Sequence, residues 1–152
     1  MNSIMNEYGV IGSLLIDSSL FPEAAGLPDQ AFSSPALQEV FRTMRRQYEG
    51  RGGFDALTVS VEARRNCPEV TDELLAQMMD ITPTTANLDA YIAAVKEEFL
   101  ARSLREIGAG LMEAEQAPLE ALGRVQDALQ RLTEENTRGD TDTLTDALVR
   151  NT

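Results

Sequence analysis

The segment Ile81-Thr-Pro-Thr-Thr-Ala-Asn87 decides how the second half of this chain folds, because it opens a helical pattern that runs to about Glu115. Pro83 disfavours helix at Thr82, and Asn87 is a good N-cap for the helix that follows. The apolar residues behind this cap line one helical face and are Leu88, Tyr91, Ile92, Val95 and Phe99. After a shift of one residue, which is about 100° around an α-helix, the apolar row continues as Leu100, Leu104, Ile107 and Leu111. One long helix with two apolar faces predicts an element that joins a globular body to a protruding arm.

Helical patterns also cover the first half of the chain. Apolar spacing of three and four residues predicts short helices over residues 6–16, 58–65 and 71–79. A further helix has Ser34 as its N-cap and Pro35 at its first position, and it ends in a glycine-rich stretch at 50–53. We therefore predict an all-α fold in which residues 1–99 form a compact helical globule.

A second arm helix follows the break at Gln116-Ala-Pro118, because proline is favoured at the first position of a helix. Its apolar residues repeat with heptad spacing and are Leu122, Val125, Leu129 and Leu132. We expect the two helices to form an antiparallel helical hairpin over residues 100–136 that protrudes from the body. The pattern over residues 137–152 predicts a linker and then the start of another helix at Leu144-Thr-Asp-Ala-Leu148.

A bare two-helix hairpin of this length buries too little apolar surface to offset the entropy lost on ordering it. The arm must therefore pack on the body or on a second copy of the chain. Residues expected to divide between hairpin packing and a partner-facing seam are Leu104, Ile107, Leu111, Leu122, Val125, Leu129 and Leu132. Three glycines in the arm, Gly108, Gly110 and Gly123, either permit close helix approach or mark a loosely packed arm.

The composition limits the classes of function. Among 152 residues, 25 acidic and 13 basic side chains give a net charge of −12, which disfavours binding to nucleic-acid phosphates. The hydrophobic fraction of 43% is enough for a core, and no apolar run approaches the length of a membrane span. One cysteine and no histidine exclude an internal disulfide framework and remove the commonest metal ligand. We expect a soluble, cytoplasmic chain whose partners are proteins.

Three groups of residues are candidates for other chemistry. The pairs Glu97-Glu98 and Glu134-Glu135, with Glu113 and Glu115, could indicate a carboxylate metal site, but such sites need histidine partners, so a solvated acidic face is favoured. Cys67 has no histidine to activate it, which favours a partly buried thiol over a nucleophile. We predict no catalytic, cofactor-binding or metal-binding residue. The densest basic region forms solvated helix faces or contacts an acidic partner or nucleic acid, and consists of Arg42, Arg45, Arg46, Arg51, Arg64 and Arg65.

Three motifs lie in order along the chain. The first is Glu7-Tyr-Gly-Val-Ile-Gly-Ser-Leu-Leu-Ile-Asp17, and the second runs from Phe32 through Pro35-Ala36 and Phe41 to Asp55-Ala-Leu-Thr58. The third is Pro83-Thr-Thr-Ala-Asn87 followed by Tyr91, Val95, Glu97 and Arg102. Together these motifs resemble the N-terminal domain of the DnaB-type replicative DNA helicases. Departures from the family pattern within the second motif indicate a divergent member.

The resemblance implies a helical globule whose hairpin pairs between subunits, as a dimer or as a trimer of dimers in a hexameric ring. It also implies a collar on which a DnaG-type primase docks. The family's motor, which binds ATP and Mg, lies in a following domain, and no G-x-x-x-x-G-K-[ST] loop occurs in this chain. We expect a non-catalytic collar domain of an ATP-dependent 5′–3′ DNA helicase that does not itself bind nucleic acid, a membrane or a cofactor. The alternative is a stand-alone helicase-like regulator that binds helicase or primase.

Overall fold

The computed structural model describes residues 3–113 and 118–138. Within these two ranges the regular structure is helical, with no strand, and the all-α prediction is confirmed. The α-helices are α1 (Ser3–Ile16), α2 (Phe21–Ala24), α3 (Pro35–Arg51), α4 (Ala56–Asn66), α5 (Asp72–Asp80), α6 (Leu88–Glu113) and α7 (Pro118–Arg138). Two short 3₁₀ turns, Ser18–Leu20 and Asp29–Ala31, lie on either side of α2. The helix predicted at residues 144–148 lies outside the described residues.

Local capping explains where the helices of the body begin and end. The Ser34 side chain accepts a hydrogen bond from the Leu37 N–H at 3.2 Å, as predicted for the start of α3. The end of α3 is set by Gly52, whose φ of 77° is the left-handed conformation that glycine adopts without strain. Asp55 and Thr58 form a reciprocal capping box, so α4 begins at Ala56, two residues earlier than its apolar pattern predicts.

The body is built around α1, which packs against α5 and α6. Two glycines make this packing possible. A Cβ at Gly9 would lie 2.6 Å from the Tyr91 ring of α6, and a Cβ at Gly12 would collide with the Met78 carbonyl oxygen at α5. Three apolar residues of α1 are completely buried, namely Val10, Ile11 and Leu14. Helix α1 is therefore the central element of the core.

Aromatic side chains form the other part of the core. The ring of Phe41, on α3, lies 4.8 Å from that of Phe32 and 5.6 Å from that of Phe21. Phe21 also contacts Tyr48, with the ring centroids 5.2 Å apart. The apolar pattern predicted neither α2 nor the two 3₁₀ turns, because these elements are too short to show helical periodicity. Core contacts of Leu20 in the first turn, Phe21 in α2 and Ala31 in the second turn hold these elements in place.

The hairpin is formed by α6 and α7. Helix α6 begins at Leu88 as predicted, and the Tyr91 N–H donates to the Asn87 carbonyl at 3.1 Å. The two helices run antiparallel, since Ser103 and Ile107 of α6 face Ala128 and Leu132 of α7 across one groove. Helix α7 extends to Arg138, two residues past the predicted end of the hairpin. The boundary between body and hairpin at residues 99–100, and the linker over 137–152, stay predictions.

Candidate functional site: the hairpin surface

The residues predicted for the hairpin surface divide into two rows. The outer row contains four leucines that are between 40% and 52% exposed, here called the outer leucines: Leu104, Leu111, Leu122 and Leu129. The inner row lies between the helices, where Ile107 and Val125 are half-buried and Leu132 is buried. In α7 the two rows alternate, because residues seven apart return to the same face of a helix. The inner residues are therefore more buried within one chain than the outer leucines.

Two further apolar residues near the tip of the hairpin are not in the predicted interface set. Met112 and Leu119 are 81% and 83% exposed, the highest values among the large apolar side chains of the described residues. Both lie beside the break between α6 and α7, where the heptad pattern stops. The signal that could have included them is that Leu119 follows Pro118 directly and that Met112 follows Leu111 in the apolar row of α6. With the outer leucines they extend an exposed apolar surface to the tip.

The arm glycines make no close contact within the described chain. A Cβ at Gly108, Gly110 or Gly123 would meet no atom within 4 Å. These glycines therefore do not lie in contact between α6 and α7, and in the described part of α7 only Ala121 and Leu132 are buried. Any close approach that these glycines permit would involve another chain.

Polar contacts attach the base of the hairpin to the body. Arg102 of α6 donates hydrogen bonds to the carbonyl oxygens of Gln30 at 3.0 Å and Ala31 at 3.4 Å. Its guanidinium also lies 5.6 Å from the centre of the Phe99 ring. One helix turn earlier, the Glu98 carboxylate accepts a hydrogen bond from the Asn6 side chain at 3.1 Å. The arm is therefore held to α1 and to the Asp29–Ala31 turn.

A buried carboxylate lies beside this attachment. Glu7 is 2% exposed, and its Oε1 accepts hydrogen bonds from the Ser33 N–H at 2.6 Å and the Ser33 hydroxyl at 3.1 Å. Burial raises the pKa of Glu7 above its ordinary value, and the hydrogen bonds from Ser33 and the charge of Arg102 only partly oppose this effect. The sequence shows no sign of this burial, because Ser33 is distant along the chain.

Most arginines of the arginine-rich region form hydrogen bonds or ion pairs with other residues of the body. Arg42 pairs with Asp29 at 3.3 Å and with Glu39 at 2.6 Å, and Arg46 pairs with Glu39 at 3.2 Å. Burial raises the pKa of Glu39, but hydrogen bonds from Asn66 and the two arginines outweigh burial, so the net shift is downward. Arg45 donates to the carbonyl oxygens of Ala25 and Leu27, and Arg64 donates to that of Val70 and to Asp72. Four of the six predicted arginines are exposed on the surface, namely Arg46, Arg51, Arg64 and Arg65.

Neither a metal site nor a membrane helix is found in the described ranges. Within residues 3–113 and 118–138, no three histidine, cysteine, aspartate or glutamate side chains are grouped so that they could hold a metal ion. None of the helices in those ranges is long and apolar enough to cross a membrane. Cys67 is half-buried at the end of α4 and packs against the core.

The fold and this surface define a class of protein: a helical body that carries a helical hairpin with an exposed apolar side. Residues 1–97 match the family of the DnaB-like helicase N terminal domain. The chain belongs to that family, as its three motifs indicated.

Known relatives agree with this assignment. The chain is 29% identical over 102 residues to the replicative DNA helicase DnaB of Rhodothermus marinus and 30% identical over 108 residues to that of Geobacillus stearothermophilus. These matches cover 64% and 67% of this chain but only 11% and 23% of the relatives. The crystal structure of the N-terminal domain of DnaB helicase from Mycobacterium tuberculosis superposes with a TM-score of 0.74 at 27% identity. The superposition covers 84% of this chain and 96% of the Mycobacterium tuberculosis domain. The structural likeness therefore extends beyond residue 97, where the family match ends.

Proposed function

We propose that this chain is the non-catalytic collar domain of a hexameric replicative DNA helicase. In this proposal the hairpin joins subunits as dimers, and as a trimer of dimers in the full ring, and the collar docks a DnaG-type primase. Membership of the DnaB-like family supports the proposal, as do the two relatives named as replicative DNA helicases. The parent enzyme would be an ATP-dependent 5′–3′ DNA helicase whose ATP and Mg bind in another domain.

The exposed apolar side of the hairpin is the observation that carries the proposal. The four outer leucines expose about half of their side chains to water on a loosely packed pair of helices. Transfer of apolar surface from water into an interface is favourable by about 25 cal/mol per Å². Large apolar side chains that are exposed in number on one element are typical of a protein-protein contact. The same surface on a second copy is its natural complement, because a two-fold interface uses one patch twice.

Analytical ultracentrifugation of the chain tests the assembly. We expect dimers or larger species whose fraction rises with protein concentration, and we expect Leu122→Asp with Leu129→Asp to shift the chain to monomer. The circular dichroism of the body should survive this change, since neither leucine contributes to the buried core. A chain that stays strictly monomeric at high micromolar concentration would contradict the proposal.

A matched control distinguishes a specific effect at the outer leucines from a general effect of added negative charge. Met5 and Leu57 are also exposed, lie in the first turns of α1 and α4, and are distant from α7 along the chain. Acidic residues are favoured in the first turn of a helix, so Met5→Asp with Leu57→Asp should leave both fold and assembly unchanged. Equal loss of assembly in this control would show that the outer leucines are not the interface.

Primase docking is tested by titration calorimetry with a DnaG-type primase. We expect binding to the assembled chain and weaker binding to the Leu122→Asp, Leu129→Asp variant, because a collar surface is completed only by neighbouring subunits. Binding that is equally strong for the monomeric variant would place the primase on a single body. No binding to either form would remove primase from the proposal.

The reading frame that follows Thr152 separates the two functions that the sequence left open. A phosphate-binding loop further along the same frame would establish a helicase, since that loop is needed to hold ATP. A stop codon there would favour the stand-alone regulator that binds helicase or primase. Sequencing of the messenger RNA is sufficient for this test.

A further inference from the structure

An open groove of about 470 Å³ lies between the C-terminal part of α3 and α4, and it is here called the α3–α4 groove. Its apolar residues are Leu57 and Val61, which lie one helical turn apart on α4 and are 70% and 46% exposed. Neither side chain belongs to the core or to the hairpin surface. The groove therefore exposes two large apolar side chains that the core of the body does not use.

The shape of the groove is fixed by a buried amide that joins its two walls. Gln47 of α3 is 9% exposed, and its side chain donates hydrogen bonds to the Thr58 carbonyl oxygen at 3.0 Å and to the Glu62 carboxylate at 3.2 Å. Its own carbonyl oxygen accepts a hydrogen bond from the Thr58 hydroxyl at 2.9 Å. These bonds hold α3 against α4, so the groove is present before any ligand arrives. A preformed site binds its ligand at a lower entropic cost.

Two arginines lie at opposite ends of the apolar pair. Arg65 follows Val61 by one helical turn on the same face of α4. Arg51 lies at the other end, because together with Asp55 and Thr58 it also lines a hollow at the start of α4. Both arginines are exposed, and within the described parts of the chain neither has a hydrogen-bond or ion-pair partner.

The carboxylates that line these two hollows are already engaged. Glu62 accepts its hydrogen bond from Gln47 and lies 3.9 Å from Arg46. The Asp55 carboxylate accepts a hydrogen bond from a backbone N–H in the capping box of α4. The two exposed arginines are therefore left to pair with a ligand. Their positive charge is local, since the net charge of the whole chain is −12.

This combination favours a ligand with carboxylates on both sides of an apolar centre. Leu57 and Arg65 are eight residues apart, which is about 12 Å along a helix. A helical ligand covers the same distance when its leucines are four residues apart and its acidic residues lie one turn before and after them.

Other ligand classes fit the groove less well. A strand-like peptide needs a sheet edge to pair its backbone, and the described residues contain no strand. Single-stranded nucleic acid binds largely through stacking of its bases on aromatic side chains. None of the described residues that line the groove is aromatic. The acidic surface of the rest of the chain also repels phosphates.

We propose that the α3–α4 groove binds an acidic, leucine-containing amphipathic helix of a partner protein. The leucines of that helix cover Leu57 and Val61, and its carboxylates pair with Arg51 and Arg65. The acidic remainder of the surface disfavours other binding positions for such a helix, so charge selects the groove. The groove lies within one chain, so the contact needs no second copy and leaves the outer leucines free. It does not depend on the proposed helicase function.

A synthetic peptide and the full chain test the proposal. The peptide is an alanine-based helix of about 16 residues with two leucines four residues apart and glutamates one turn before and after them. Fluorescence anisotropy should show saturable binding in the micromolar range, and the NMR amide signals of residues 57–65 should shift with it. Arg51→Glu with Arg65→Glu should weaken binding about tenfold or more, because two attractive charge pairs become repulsive. A peptide with lysine in place of glutamate should bind this variant and not the native chain.

Two controls separate the groove from a general effect of charge. Arg105→Glu with Arg124→Glu alters two exposed arginines of the hairpin and changes the net charge by the same amount, so it should leave peptide affinity unchanged. Leu57→Ser with Val61→Ser keeps the charge and should weaken binding, because the apolar contact is lost. Circular dichroism verifies that each variant is folded.

Several outcomes would overturn the proposal. One is the absence of saturable binding up to about 1 mM peptide, and another is an equal loss of affinity in the hairpin control. Displacement of the peptide by a short oligothymidylate would assign the groove to nucleic acid instead. Shifts of the same amide signals with protein concentration alone would place a second copy in the groove.

Discussion

The body and the hairpin of this chain are both helical, but they bury their apolar residues to different extents. In the body, Phe21, Phe32 and Phe41 are almost fully buried, and the ring of Phe41 contacts both of the others. In the described part of α7, burial is limited to Ala121 and Leu132. The comparison shows that the same helical pattern leads to a self-sufficient core in one region and to an open surface in the other. The difference arises because the body packs several helices around α1, whereas the hairpin packs two helices side by side.

The largest expected effect comes from Phe41→Ala in the body. Phe41 is completely buried between the rings of Phe21 and Phe32, so its truncation should lower the free energy of unfolding by about 3–5 kcal/mol. Leu122→Ala in the hairpin should cost about 1 kcal/mol or less, because half of that side chain is already exposed. Urea unfolding of both variants measures the difference. Similar losses would show that the hairpin is as tightly packed as the body.

The next effect comes from the crossing of α1 and α5. Gly12→Ala places a Cβ against the Met78 carbonyl oxygen, and a backbone atom cannot move aside as a side chain can. Overpacking of this kind costs about 1–3 kcal/mol. Thermal unfolding should show a lower midpoint, whereas Gly50→Ala, where a Cβ would meet nothing within 4 Å, serves as the control. An unchanged midpoint for Gly12→Ala would mean that the two helices can separate freely.

Glu7, which lies near the base of the hairpin, makes the stability of the fold depend on pH. Because the pKa of Glu7 is raised on folding, the folded state binds the proton more tightly than the unfolded state does. Protonation of Glu7 therefore stabilises the fold, and this stabilisation is fully present at a pH below the pKa of the unfolded chain. It is lost as the pH rises through the folded pKa. Glu7→Gln removes the titration, so the stability of the variant relative to the native chain should increase between pH 4 and pH 7. Urea unfolding across this range checks the slope, and parallel curves would contradict the assignment.

The smallest expected effect is a gain in the hairpin. A Cβ at Gly110 meets no neighbour, so Gly110→Ala should stabilise α6 by up to about 1 kcal/mol through helix propensity alone. Thermal unfolding of a dilute sample measures this gain. Sedimentation of the same variant shows whether assembly weakens, which would reveal close packing of another chain on Gly110. Gly50→Ala, which lies in the last turn of α3, is the matched control.

Much of the architecture was predictable because it depends on local signals. Ser34, Thr71 and the glycine after α3 act on backbone groups within a few residues of themselves, so capping can be read along the chain. The helical periodicity likewise predicted both helices of the hairpin. The candidate interface was predicted only as one set of residues, since the apolar spacing is the same for the inner row and for the outer leucines.

By itself, the sequence determined the helices, their caps, the acidic character of the chain and its family motifs, because each depends on neighbouring residues or on composition. Only the tertiary structure decided which leucines of the hairpin face water and which face the partner helix. It also decided that Glu7 meets Ser33 and that Glu39 meets Asn66, residues that are 26 and 27 positions apart. Such contacts depend on how helices cross, and helix crossing is set by the packing of whole faces rather than by local sequence.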